Sequence, residues 1–228
     1  MRRIALVAAL EREVAPLVRK WQVRRIEHGD RRYRLFEIEN GNAAVICGGI
    51  GAESARRATE AIIQVFRPSE VLSVGFAGAL DPALRVGEVI APRMVINGSD
   101  GARTDTGSGL GTLVSFSAVA GREQKEKLRA AYAAAAVDME AAAVAQGAEL
   151  RGVQFGALKV VSDEADFVMP PLEKFVEPNG GFRTAQFALH LAMRPWLWGT
   201  TIMLAHNSAR ASQALCAALE RYVSGAES

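Results

Sequence analysis

Cysteine is almost absent: Cys47 and Cys216 are the only two among 228 residues. Two thiols so far apart in sequence make no disulfide framework and cannot supply a four-ligand zinc site. A reduced, cytoplasmic setting fits them. Histidine is nearly as scarce, and His28, His190 and His206 show neither HExxH nor HxH spacing, which argues against a catalytic metal. An excess of charge of one sign is lacking as well. With 27 basic and 25 acidic residues the net charge is +2, too balanced for a nucleic-acid binder. The one local excess, ten Lys/Arg against four Asp/Glu over residues 2–34, reads as a solvated surface. Long hydrophobic runs are missing too. Two arginines followed by the apolar Ile4–Leu10 mimic a short signal peptide, but the run enters Glu11-Arg12-Glu13 with no small-residue cleavage site, as a first buried strand would. The uncharged stretch Pro195–Ala209 is too short to span a membrane. A soluble protein is expected.

What is present suffices for a core. Half the residues are hydrophobic and 23% are charged, which fits one ordinary domain over residues 1–228, or at most two small ones. Ile4–Ala9 is apolar without alternation, the mark of a strand covered on both faces. Strand character returns at Arg32–Glu39, Ala43–Gly48, Val71–Val74, Gly87–Ile96, Leu113–Val119 and Phe155–Val161,. Helical patterns occupy Glu11–Lys20, Ala52–Phe66, Arg122–Ala136 and Glu140–Leu150,. Asn97–Thr112 reads as a glycine-rich loop and Phe167–Gly181 as irregular, with Pro170-Pro171 and Pro178-Asn179. The remainder reads as helix broken near Pro195. This alternation predicts one α/β domain with a largely parallel central sheet and helices on both sides.

Four short segments could carry chemistry. Ala9-Leu10-Glu11-Arg12-Glu13 puts carboxylates beyond the carboxyl end of the first strand, where open α/β sheets bind ligands. The same residues would also suit the first turn of a helix. Val74-Gly75-Phe76-Ala77-Gly78-Ala79 could present backbone N–H groups to a sugar or an anion, or be a tight turn. In Val137-Asp138-Met139-Glu140-Ala141, Asp138 suits an N-cap, while Glu140 falls at a strand-to-helix junction near the same edge as Glu13. In Val160-Val161-Ser162-Asp163-Glu164, a buried strand ends in Ser-Asp. An aspartate in such a desolvated crevice can donate a proton near neutral pH, or it can cap a turn. Gly107-Ser108-Gly109-Leu110-Gly111 imitates a phosphate loop but lacks the preceding strand, the following helix and the lysine.

Taken together and in order, these motifs resemble the purine nucleoside phosphorylase superfamily, and within it the 5'-methylthioadenosine/S-adenosylhomocysteine nucleosidases. Ala9-Leu10-Glu11-Arg12-Glu13-Val14 is similar to that family's GAMEEEV, and Gly48–Gly51 to its SGIGK. Gly75–Glu88 is similar to GSAGGL…VGD, Val137–Ala141 to VEMEA, and Lys159–Asp166 to RAISDVAD. The 23-residue separation of Glu140 and Asp163 matches as well, and the likeness covers roughly residues 4–166.

The resemblance implies a three-layer α/β/α sandwich with a mixed, mostly parallel sheet, and cleavage of an N-glycosidic bond without a cofactor. It implies Glu13 as general base for water and Asp163 as proton donor to the purine. Met139 and Glu140 would hold the ribose and Ser162 would orient Asp163. Phe76, Ala77, Gly78 and Val119 would form the base site. Phosphorylases of this superfamily carry phosphate-binding arginines where this chain has ALERE and Leu72-Ser73-Val74, so water is the expected nucleophile. Phe76 stands where the nucleosidases have Ser, Phe116-Ser117 replaces GD, and Val119 replaces an aromatic that stacks on adenine.

The C-terminal extension, about 167–228, with Phe182-Arg183-Thr184-Ala185 and Arg194-Pro195-Trp196-Leu197-Trp198, resembles the hopanoid-associated members. Those are thought to release adenine from adenosylhopane. Trp196 and Trp198, with Ile202, Met203 and Leu204, would then line an apolar channel for the 5' tail or touch a membrane surface, unless they serve ordinary helix packing. The family implies a homodimer with a small-molecule nucleoside as substrate. Competing expectations are a phosphorylase, a hydrolase of another nucleoside such as methylthioadenosine, S-adenosylhomocysteine or futalosine, and a non-catalytic nucleoside-binding protein.

Overall fold

The computed structural model describes residues 2–170, 172–175, 177 and 180–225. The chain runs β1 (Ile4–Ala8), α1 (Glu11–Val18), β2 (Gln22–His28), β3 (Arg31–Glu37), β4 (Ala43–Cys47), α2 (Ala52–Phe66) and β5 (Glu70–Ala79). It continues through β6 (Val89–Ile90), β7 (Met94–Asn97), β8 (Arg103–Asp105), β9 (Thr112–Ser115), α3 (Arg122–Tyr132), β10 (Ala136–Asp138), α4 (Ala141–Glu149) and β11 (Gln154–Asp163). A 3-10 turn at Leu172–Phe175, α5 (Thr184–Ala192) and α6 (Trp198–Ser224) complete it. Pro171, Pro178 and Asn179 of the stretch expected to be irregular lie outside the described residues.

The strands form one mixed sheet in the order β2-β3-β4-β1-β5-β10-β9-β7-β8, with β11 joining β5 and β6. Its centre is parallel: β1 pairs with β4 and β5, and β11 with β5. The outer hairpins are antiparallel. Every residue of β1 is buried, because helices cover both faces of these strands. On one face α2 and α4 pack Ala58, Ile62, Val144 and Ala148 against Ala5 and Val71. On the other, α1 and α6 pack Val14, Leu17, Leu215 and Leu219 against Leu6 and Leu72. A third cluster joins α3 to β7, β9 and β10 through Leu128, Ile96, Val114 and Val137. These are the three layers expected. The half of α6 from Ala211 onward is core, not an appendage.

Strand β5 runs on to Ala79 and β9 stops at Ser115, and four further differences from the sequence expectation each have a physical reason. Strand β2 has no apolar pattern because it is a sheet edge, mostly exposed, and ion pairs cross the β2–β3 hairpin, Arg24 with Glu37 and Arg32 with Glu27. The glycine-rich loop contains β8, paired with β7. The strand expected over Gly87–Ile96 is divided into β6 and β7 around Pro92, which has no N–H for a ladder,. The alanine-rich stretch expected to be helical to Ala136 stops at Tyr132. Ala133 is left-handed there (φ 49°), with its N–H bonded to the Arg129 carbonyl, and β10 follows.

Candidate active site

The carboxyl ends of β1, β5, β10 and β11 open onto one cavity, lined by Glu13, Phe76, Ala77, Gly78, Val119, Met139, Glu140, Ser162 and Asp163. The structure thus brings together the residues expected to act on the ribose, the base and the water, but not the expected tail residues: Trp196, Trp198, Ile202 and Met203 are exposed and line neither this cavity nor the groove beside it, and Leu204 lines only the groove. The two tryptophans, 73% and 50% exposed, stand on the segment entering α6.

Glu13 enters from the first turn of α1, as its place after β1 requires. Pro16 cannot donate to the carbonyl four residues back, that of Arg12. The Ser212 hydroxyl on α6 donates there instead, at 3.1 Å, and to the Glu13 carbonyl at 3.0 Å. The C-terminal helix thereby fixes the backbone that carries Glu13. The Glu13 side chain is buried, and its Oε2 has no hydrogen-bond partner among the described residues. Burial, then the negative charge of Glu140, push its pKa up to about 7 against the pull of Lys159. Space for it is made by Gly75, whose φ of +135° favours glycine. A Cβ at Gly75 would lie 2.6 Å from Glu13 Oε2.

Glu140 follows β10. The Gly51 N–H donates to its Oε1 at 2.8 Å and the Met139 N–H to its Oε2 at 3.2 Å. Burial and neighbouring Asp138 raise its pKa to about 7, with Lys159 opposing. Asp138 ends β10 and is not the N-cap of α4, a place that Glu140 takes, yet it accepts the Ala141 N–H of the first turn at 2.8 Å. It also accepts the Ser115 hydroxyl at 2.6 Å and meets Lys159 Nζ at 2.8 Å. Burial works against the charge of Lys159, and the carboxylates of Asp138, Glu140 and Glu13 overcome it, so its pKa lies above the ordinary value.

Asp163 ends β11 just past a bulge and sits opposite Gly78. Ser162 Oγ donates to its Oδ1 at 2.7 Å. Lys125 Nζ, from α3, donates to its Oδ2 and, at 2.7 Å, to the Glu164 carbonyl. A Cβ at Gly78 would stand 2.9 Å from Asp163 Oδ2. Glycines 75 and 78 of β5 therefore each leave room for one carboxylate. Three residues of strand put those two positions about 10 Å apart.

Sequence reasoning missed Lys125, Arg12 and Phe182, which also line the cavity. Lys125 lies in the charge-rich run REQKEKLR, which reads as a solvated face and gives no hint of a buried amine. Phe182 is set in place by the Ile50 N–H, which donates to the Gly180 carbonyl at 2.8 Å. The Arg12 guanidinium stands 5.8 Å from the Phe182 ring centroid. These two residues and Phe76 also wall an adjoining groove, with Phe187, Leu204 and Ala205.

The protein resembles others in both sequence and shape. A 5'-methylthioadenosine/S-adenosylhomocysteine nucleosidase of Staphylococcus aureus (strain Newman) is 26% identical over 198 residues, covering 72% of this chain and 87% of the relative. The 5'-methylthioadenosine nucleosidase of Arabidopsis thaliana superposes with a TM-score of 0.75 at 19% identity, over 98% of this chain and 95% of that one. The futalosine hydrolase of Helicobacter pylori superposes with a TM-score of 0.69 at 18% identity, over 96% and 98%. The profile of the Phosphorylase superfamily matches residues 3–119 and 111–219. With that match over most of its length, the chain belongs to the phosphorylase superfamily.

Proposed function

We propose that the protein is a purine nucleosidase that hydrolyses the N-glycosidic bond of a 5'-modified adenosine and releases adenine. The observation that carries this reading is the buried, unpartnered Glu13 Oε2 in one cavity with Asp163, the two set against Gly75 and Gly78 of one strand. A buried carboxylate with one oxygen unpartnered and its pKa raised to about 7 is suited to take a proton from water,. Water adds to the anomeric carbon, its proton goes to Glu13, and the C–N bond breaks with its electron pair leaving on the base. Asp163, oriented by Ser162, delivers a proton to the purine imidazole nitrogen. Met139 and Glu140 hold the ribose hydroxyls, and nearby carboxylates stabilise the oxocarbenium-like transition state. Phe76, Ala77, Gly78 and Val119 enclose the base.

The 5' substituent we propose is large and apolar, as in adenosylhopane in hopanoid biosynthesis. The groove that continues from the cavity past Phe76 and Phe182 to Phe187 and Leu204 supports this. Trp196 and Trp198, exposed on the same C-terminal segment, would meet the far end of such a tail or a membrane surface,. No helix among the described residues is long and apolar enough to cross a membrane. Free Cys47 and Cys216 suit the cytoplasm,. The assembly we infer is a homodimer, and light scattering at twice the 24.4 kDa chain mass would support it.

A second reading, phosphorolysis, is favoured by Arg12, a cation at the cavity wall. Chromatography of free base, with and without phosphate, separates the two. Hydrolysis gives adenine in phosphate-free buffer, and phosphorolysis gives none.

A further inference from the structure

Asp163 has a proton donor's position but an acceptor's surroundings. One oxygen takes the Ser162 hydroxyl and the other takes the Lys125 ammonium. Both of its oxygens are thus engaged as acceptors, and Lys125 is the donor beside it. Its ammonium carries three protons, of which one points at Asp163 and one at the Glu164 carbonyl. Its side chain is only 2% exposed, yet it reaches two cavities. It lines the active-site cavity, and it also lines a second one walled by exposed Arg122, Glu126, Arg129 and Asp166. Lys125 thus stands between the acid and a surface cavity.

We propose that Lys125 supplies the proton that Asp163 passes to the departing base, and that it is reloaded through the second cavity. The inference rests on the nucleosidase reading. As the C–N bond breaks, its electron pair goes to the base. Lys125 Nζ gives a proton to Asp163 Oδ2, and the carboxylic acid so formed gives a proton to the base nitrogen. Lys125 is left as a neutral amine, and Asp163 returns to carboxylate. Water in the second cavity protonates the amine, and Glu13 releases to solvent the proton it took from the attacking water. The sum is one water added across the glycosidic bond. Lys125 touches the substrate through Asp163 only and is a positioning and proton-supplying residue.

The test compares the wild type with Lys125→Met and Lys125→Arg on two substrates of the same 5' group, an adenine nucleoside and a p-nitrophenyl riboside. Nitrophenolate leaves without protonation. We expect Lys125→Met to lower kcat on the nucleoside about 100-fold or more and to leave nitrophenolate release within about threefold. Lys125→Arg should lose the nucleoside reaction similarly, since a guanidinium pairs with Asp163 but does not give up its proton. Rescue by arginine would reduce Lys125 to a clamp and overturn the relay. Equal loss on both substrates, or no loss on the nucleoside, would also overturn it. A wild type that cleaves neither substrate would bring down the nucleosidase reading itself.

Discussion

Glu13 is the residue on which the proposed chemistry turns. Burial first, and the Glu140 charge second, push its pKa up to about 7 and keep it basic near neutral pH,. Glu13→Gln is expected to lower base release by about a hundredfold to ten-thousandfold while near-UV circular dichroism stays that of the wild type. Activity limited by this base should rise with pH through about 7, since only the ionised form accepts a proton. The Glu140 charge is the second cause of the raised value, so in Glu140→Gln the Glu13 midpoint should move to lower pH. Carbon-13 NMR of labelled glutamates reads this directly, and an unmoved midpoint would show that burial alone sets it. Glu13, Glu140 and Asp163 were legible in the sequence because each closes a short motif at a strand end. Lys125 was not, because its meaning comes from Asp163, 38 residues away.

At the scale of elements, β5 and the α1–α6 contact do the positioning. Gly75 combines positive φ with a close approach to Glu13 Oε2. Gly75→Ala should destabilise the protein by about 1–3 kcal/mol and depress kcat by displacing the base, as urea titration and steady-state kinetics would show. Ser212 satisfies carbonyls near Pro16. Its loss in Ser212→Ala should lower stability by about 1–3 kcal/mol and reduce kcat more than it raises KM. An unchanged urea midpoint would mean that solvent replaces the hydroxyl. Neither Gly75's conformation nor Ser212's reach to α1 is written locally, since both depend on which segments the fold brings together. Buried strands such as β1 announce themselves by continuous apolar residues. Strand β2 does not, because an edge facing water can be made from Gln22, Arg24 and Arg25. The alanine run at Ala133–Ala136 suits helix and strand alike; left-handed Ala133 ends the helix, and pairing with β9 and β5 makes Ala136 the first residue of a strand.

For the whole molecule, the site lowers stability at neutral pH. Glu13 and Glu140 both titrate near 7 in the fold, against an ordinary value of 4.5. The folded state therefore holds their protons more tightly than the unfolded chain does. The stability this contributes is full below about pH 4.5 and is lost as the pH rises through about 7. Denaturation midpoints should fall between pH 5 and pH 8, and Glu13→Gln should flatten that fall. A midpoint rising over this range would contradict the burial cost assigned to the pair. The three-layer plan was legible from alternating strands and helices. That the last half of α6 belongs to the core, and that the groove runs beneath its first half, follows only from the folded chain. The most direct test of the function is chromatographic detection of free base from a panel of 5'-substituted adenosines, with and without phosphate. Hydrolysis at Glu13 predicts adenine without phosphate, released fastest from substrates with long apolar 5' groups. Release only with phosphate, or none from any member of the panel, would contradict it.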